Sequence, residues 1–160
     1  MIRTKQLMIF SLVAFNAVAG QVETYSEKIP LYDKGAATFY VNGRVNEGEE
    51  TEFMVDTGSG YSTINAQMFE ALSGSGKATY IKSVIGVMAD GSEISMPIYR
   101  ISSLNIGGDC VIRDIEIAVL PGKTRPILGL SALKKAAPFS FFFDPPALSL
   151  SNCEAKRTKI

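Results

Sequence analysis

Short apolar runs, most of them rich in β-branched and aromatic residues and separated by glycine, proline or polar clusters, fill most of this chain. Such runs predict many short strands and few helices. Gln21 to Lys34 is polar and irregular, with Pro30 breaking any pattern, and reads as a lead-in strand or loop. Ala37 to Val41 reads as a strand, and Val41-Asn42-Gly43-Arg44-Val45 places an Asn-Gly turn signal inside a hairpin. The acidic stretch Asn46 to Glu50 connects to a second strand, Thr51 to Val55. Ser62 to Ser73 carries Ile64, Met68, Phe69 and Leu72 at near-helical spacing, which predicts a short amphipathic helix ended by Gly74-Ser75-Gly76. Strands are then expected over Tyr80 to Met88, Glu93 to Leu104 and Cys110 to Leu120, with turns at Ala89 to Ser92 and Asn105 to Asp109 and Pro97 near an edge or bend. A helical turn over Ser131 to Ala136 and strands over Phe139 to Phe143 and Ala147 to Leu150 complete the pattern, before a polar, loose tail from Glu154 to Ile160. The fold class is therefore mostly β, closed or sandwich-like, with one or two short helices.

The N-terminus follows a different rule. Arg3 and Lys5 precede an apolar run from Leu7 to Phe15, and Ala17-Val18-Ala19 has the small-x-small form of a secretory cleavage site. That run is too short for a membrane span, which takes roughly 20 apolar residues. A signal peptide over 1–19 implies an exported, periplasmic or secreted protein with no stable membrane span after cleavage. Its removal leaves 14 basic against 16 acidic residues. Export permits a disulfide between Cys110 and Cys153, with two unpaired thiols as the other reading.

The 160 residues fit one domain, and a 46% apolar composition is ample for a core. Sixteen basic residues balance sixteen acidic ones over the whole chain, so charge gives no case for nucleic-acid binding. There is no histidine, which removes Ser-His-Asp and Cys-His nucleophiles and histidine-ligated metals. Three weaker motifs fail on their surroundings. Gly74-Ser75-Gly76-Lys77 lacks the leading glycine and the Ser/Thr of a phosphate loop, since Ala71 and Ala78 stand there. Ser131-Ala132-Leu133-Lys134 has the Ser-x-x-Lys spacing of penicillin-binding enzymes without their partner motifs. Glu47-Gly48-Glu49-Glu50 lacks metal-loop spacing and reads as a solvated connection.

What remains is Phe53-Met54-Val55-Asp56-Thr57-Gly58-Ser59-Gly60, an apolar strand that delivers one carboxylate into a tight turn of small residues. The string Val-Asp-Thr-Gly-Ser resembles the active-site loop of aspartic proteases, and its single occurrence in a short chain is similar to the retropepsin-like branch. Two further elements follow in that family's order. The hairpin tip Ala89-Asp90-Gly91 is similar to the flap, and Ile127-Leu128-Gly129 to the apolar-apolar-Gly element beneath the acid loop. Phe139 to Leu150 resembles the closing strand pair, so the likeness runs from about Ala37 to Leu150. One position departs, because Gly60 stands where the family often has a second small hydroxyl residue.

The resemblance implies a retropepsin-like closed β-barrel, an acid-protease fold, over 37–152, preceded by a lead-in over 20–36 and followed by a polar tail over 153–160. It implies an exported bacterial-type aspartic endopeptidase without metal or other cofactor, acting on a peptide or protein substrate as a homodimer. Asp56 would be catalytic, with Thr57 bonding across the dimer axis and Gly58 allowing close backbone approach. Ser59, Met88, Ala89, Asp90 and Gly91 would contact substrate, although core packing is an equal or better use for Val87 and Met88, and turn formation for Asp90. Ile127, Leu128 and Gly129 would support the loop. The rival reading is a noncatalytic exported peptide-binding or dimerisation module on the same fold.

Overall fold

Period-two alternation sets the first long strand. Val41, Gly43 and Val45 face inward and are buried, while the residues between them are partly or fully exposed. The computed structural model describes Tyr25, residues 27–73 and residues 77–155. The expected signal peptide, the Gly74-Ser75-Gly76 helix stop and the tail beyond Ala155 lie outside the described residues.

Within them the strands are β1 (Glu27–Pro30), β2 (Tyr32–Asp33), β3 (Phe39–Val45), β4 (Glu50–Val55) and β5 (Ser62–Asn65), followed by helix α1 (Ala66–Ser73). Then come β6 (Ala78–Val87), β7 (Glu93–Ile106), β8 (Cys110–Leu120), β9 (Ile127–Leu128), helix α2 (Leu130–Leu133), β10 (Phe139–Phe143), β11 (Pro146–Leu150) and β12 (Glu154–Ala155).

Following the hydrogen bonds, β8, β5, β9, β4, β3 and β7 neighbour one another in turn, and β7 pairs back with β8. That last pairing closes the sheet into a barrel, which removes two edges that would otherwise be open. Val41, Phe53, Ile64, Leu104, Ile115 and Leu128 are among the side chains buried inside it. A separate sheet, ordered β1-β11-β10, packs Ile29, Leu148 and Leu150 onto the same core. The fold is thus mostly β, with two short helices among the described residues.

Three expectations change. Asn42-Gly43 does not turn the chain, because β3 runs through both residues and pairs with β4 and β7. Gly43 is required for packing instead, since a Cβ there would sit 2.9 Å from the Phe53 ring and 3.1 Å from the Asn105 carbonyl. Ser62 to Asn65 is strand, not helix, with its backbone parallel to β8 and touching β9. The helix begins at Ala66, where the Asn65 side chain accepts a hydrogen bond from the Met68 N–H at 2.9 Å. The lead-in, expected as strand or loop, forms the strands β1 and β2, with Leu31 buried. The tail is held at its start, for Glu154 and Ala155 pair with Val111 and Cys110.

Cys110 and Cys153 form a disulfide, with their Cα atoms 4.8 Å apart. Cys110 is fully buried in β8, so the bridge ties the residue just before β12 to a barrel stave.

Candidate active site

Asp56 follows the last residue of β4, and its position is fixed from both sides. Its N–H donates to the Leu128 carbonyl at 3.1 Å, continuing the β4–β9 pairing past the strand end. Its Oδ1 accepts the Gly58 N–H at 2.9 Å, and its carbonyl accepts the Ser59 N–H at 3.3 Å. The Asp-Thr-Gly-Ser turn is therefore held by its own first side chain, as aspartate often does in turns.

The support beneath it is equally specific. Leu130 N–H donates to the Ser59 carbonyl at 2.9 Å, and Gly129 N–H donates to the Ser62 hydroxyl at 3.0 Å. Ser62 N–H in turn donates to the Ser131 hydroxyl at 2.8 Å. A Cβ on Gly129 would stand 2.3 Å from the Tyr61 carbonyl oxygen and 2.9 Å from that of Ser59, so only glycine lets these segments meet. Thr57 is exposed, and its hydroxyl has no hydrogen-bond partner among the described residues.

The loop opens onto a cleft of about 800 Å³. Asp56, Gly58 and Ser59 lie along its floor, and β9 contributes Ile127. The facing side is a hairpin built from β6 and β7. Those strands pair from Val87–Glu93 down to Ala78–Ile101, whereas β7 meets β8 only from Ile98 onward. Beyond Ile98 the hairpin is thus a two-stranded ribbon standing off the barrel.

Val87 and Met88, for which core packing was the stronger expectation, are 72% and 39% exposed and line the cleft. They are outside the core because the ribbon bearing them has no third strand to pack against. Met96 lies across Gly86 on the same ribbon, where a Cβ would meet its Cε at 2.1 Å. Asp90 forms the tip, accepting from the Ser92 hydroxyl at 2.6 Å and the Ser92 N–H at 2.9 Å. The hydroxyl bond foremost, and then the backbone bond, hold its carboxyl below the usual aspartate range.

Of the anticipated residues, then, Asp56, Gly58, Ser59, Met88, Ala89 and Ile127 share the cleft. Leu128 and Gly129 are buried beneath it, while Thr57, Asp90 and Gly91 are exposed outside its lining. Tyr61, Thr124 and Arg125 also line it and were not anticipated, although each adjoins or lies close to one of the recognised motifs. Asp56 is the one carboxylate in this lining among the described residues. No cluster of three or more metal-binding side chains occurs among the described residues.

A family model described as gag-polyprotein putative aspartyl protease matches residues 41–135, a span that holds the acid loop, the hairpin and the β9 support. The chain belongs to this family. A retropepsin-like aspartic protease from Rickettsia conorii superimposes with a TM-score of 0.56 at 21% sequence identity, covering 84% of this chain and 100% of that one. That likeness establishes the retropepsin-like fold. No curated protein matches this sequence.

Proposed function

We propose that the chain is an aspartic endopeptidase that works as a twofold homodimer, with Asp56 of each subunit forming one catalytic pair. The carrying observation is a braced carboxylate in a cleft whose lining holds no other carboxylate among the described residues. One carboxylate is half of the apparatus that peptide hydrolysis by this route needs. Two carboxylates a few ångströms apart cannot both ionise readily and so share a proton, which is the general acid–base arrangement of aspartic proteases as a class. The ionised member takes a proton from a water held between them, the water oxygen attacks the peptide carbonyl, and the protonated member gives its proton to the carbonyl oxygen. Collapse of the resulting tetrahedral species, with proton transfer to the amide nitrogen, breaks the C–N bond.

An isologous interface supplies the same loop twice, so a chain with one Asp-Thr-Gly builds the pair at its symmetry axis. In this reading Thr57 bonds across that axis, which is supported by its exposure and by the lack of a hydrogen-bond partner for its hydroxyl among the described residues. The β6–β7 ribbon then closes over an extended peptide, adding main-chain pairing and excluding water. Its uncovered apolar side chains, Ile85 and Val87, at 64% and 72% exposure, gain cover in doing so. The Cys110–Cys153 disulfide fits an exported protein working in a periplasmic or secreted setting.

The test compares the full chain with Asp56→Asn on a diverse peptide mixture, from acidic to neutral pH and at several protein concentrations, reading products by mass spectrometry. Cleavage by the parent alone, rising faster than linearly with concentration and falling as the shared proton is lost at higher pH, is the expected result. A folded parent dimer that binds peptides without cutting any of them would make the protein a binding module.

A further inference from the structure

Apart from Asp56 and Tyr61, the ionisable side chain in the cleft lining is Arg125, which is exposed and shares that lining with Met54, Val84, Met88 and Ile127. A cation is an unexpected occupant of a mainly apolar groove, and several features fix it there. Pro126, the next residue, restricts the backbone, and its carbonyl accepts the Met54 N–H at 3.0 Å. Arg125 is thereby anchored two residues before β9 joins β4 at Ile127. Its Nη1 donates to the Tyr40 hydroxyl at 2.6 Å, and Tyr40 is itself set by β3 directly opposite Met54 of β4.

The guanidinium is aimed but not neutralised. Among the described residues no carboxylate lies within ion-pair distance of Arg125. A guanidinium offers five N–H donors in a planar fork suited to a carboxylate, and the Tyr40 bond uses one. The other cation beside Tyr40 is Lys34, 5.0 Å from the ring centroid, and it is already paired with Glu52. The open charge at this end of the cleft therefore belongs to Arg125.

We propose that Arg125 is a specificity-determining residue that binds a carboxylate of the peptide in the cleft, selecting segments in which an acidic group lies among apolar side chains. Tyr40 acts through it as a positioning residue. This rests on the cleft being a peptide-binding site, as in the proposed function, but not on peptide cleavage. The carboxylate comes from an Asp or Glu side chain or from a free chain end, and both present the same two oxygens to the fork.

The experiment uses the full chain and its Asp56→Asn form with fluorescent apolar peptides in matched sets. One set has both ends blocked and carries Glu or Gln at successive positions, and the other is the Gln series with a free C-terminal carboxylate. Binding is read by fluorescence anisotropy on Asp56→Asn, and kcat/KM on the parent. A charge-assisted contact predicts that Glu is favoured over Gln by about tenfold at one or two positions, and less at high salt. Arg125→Ala should bring that ratio to about one, Arg125→Glu should reverse it in favour of Lys-bearing peptides, and Tyr40→Phe should reduce it without reversal. Reversal is a readout that a merely structural arginine would not give.

If the free-end peptides alone show the preference, the carboxylate recognised is a chain terminus. A Glu/Gln ratio near one in the parent at every position, with free ends also without effect, overturns the proposal while leaving proteolysis intact. An Arg125-dependent preference in binding, with no cleavage by the parent, supports it and overturns the endopeptidase reading instead. Absence of both binding and cleavage overturns both.

Discussion

The acid loop and the hairpin opposite it face the same cleft and are built on opposing principles. In the loop, Asp56, Ser59 and Ser62 are each hydrogen-bonded to β9 or the residues just after it, and Gly129 allows backbone contact closer than any side chain would permit. In the hairpin, β6 and β7 have only each other beyond Ile98, and Ile85, Val87 and Met88 are left uncovered. Rigid support suits a group that must meet a bond with little positional error, and a lightly tethered ribbon suits one that must admit and then enclose a chain. The contrast teaches where a change should act on chemistry, on stability or on capture.

Asp56→Asn is the strongest test of the loop. It should lower peptide cleavage by at least about 10²-fold, as loss of a positioned acid–base group does, with the circular dichroism spectrum and thermal midpoint close to the parent's. Gly129→Ala comes next. Its Cβ would press on the backbone oxygens of Tyr61 and Ser59, which cannot swing aside, so a loss of about 1–3 kcal/mol or more is expected in denaturant unfolding, together with reduced cleavage. Gly86→Ala is the matching change in the ribbon. There the new methyl meets the end of the flexible Met96 side chain, and the cost should stay under about 1 kcal/mol. If the two alanines cost the same, the distinction between braced loop and lightly held ribbon fails.

Val87→Ser should leave unfolding within about 0.5 kcal/mol of the parent, because the side chain is 72% exposed, and should weaken peptide binding measured by anisotropy. The smallest effect concerns Asp90, whose carboxyl is held below its ordinary range by the Ser92 hydroxyl and N–H. A lowered value in the folded state contributes stability above the unfolded-state value, and loses it as pH falls through the folded one. An NMR titration should therefore show the hairpin tip keeping its turn through the ordinary aspartate range and loosening only at more acidic pH.

Much of the fold and site is readable in the sequence because the site depends on local chemistry. A strand ending in Asp-Thr-Gly-Ser, an Asp-Gly hairpin tip and an Ile-Leu-Gly support carry their meaning within a few residues, and the family match and the structural superposition bear out the family and fold. What failed depended on distant partners. Asn42-Gly43 has turn chemistry, but Phe53 from the neighbouring strand needs the space of a glycine there. Ile64 fits a helical period with Met68 and Leu72, yet β8 and β9 on either side hold its segment extended. Val87 and Met88 have core composition, and only the ribbon's departure from the barrel exposes them. Arg125 carries no motif of its own, because its role depends on Tyr40, far away in the chain.

The partners that hold the acid loop also impose an order in time. Leu128, Gly129 and Leu130 follow Asp56 by some seventy residues, and the loop's N–H and carbonyl groups close onto them. A chain being synthesised, or threaded through a narrow channel, delivers its carboxylate long before those residues arrive. Until then the loop lacks the contacts that aim it. The brace on the acid loop is therefore complete only once this late segment has been made.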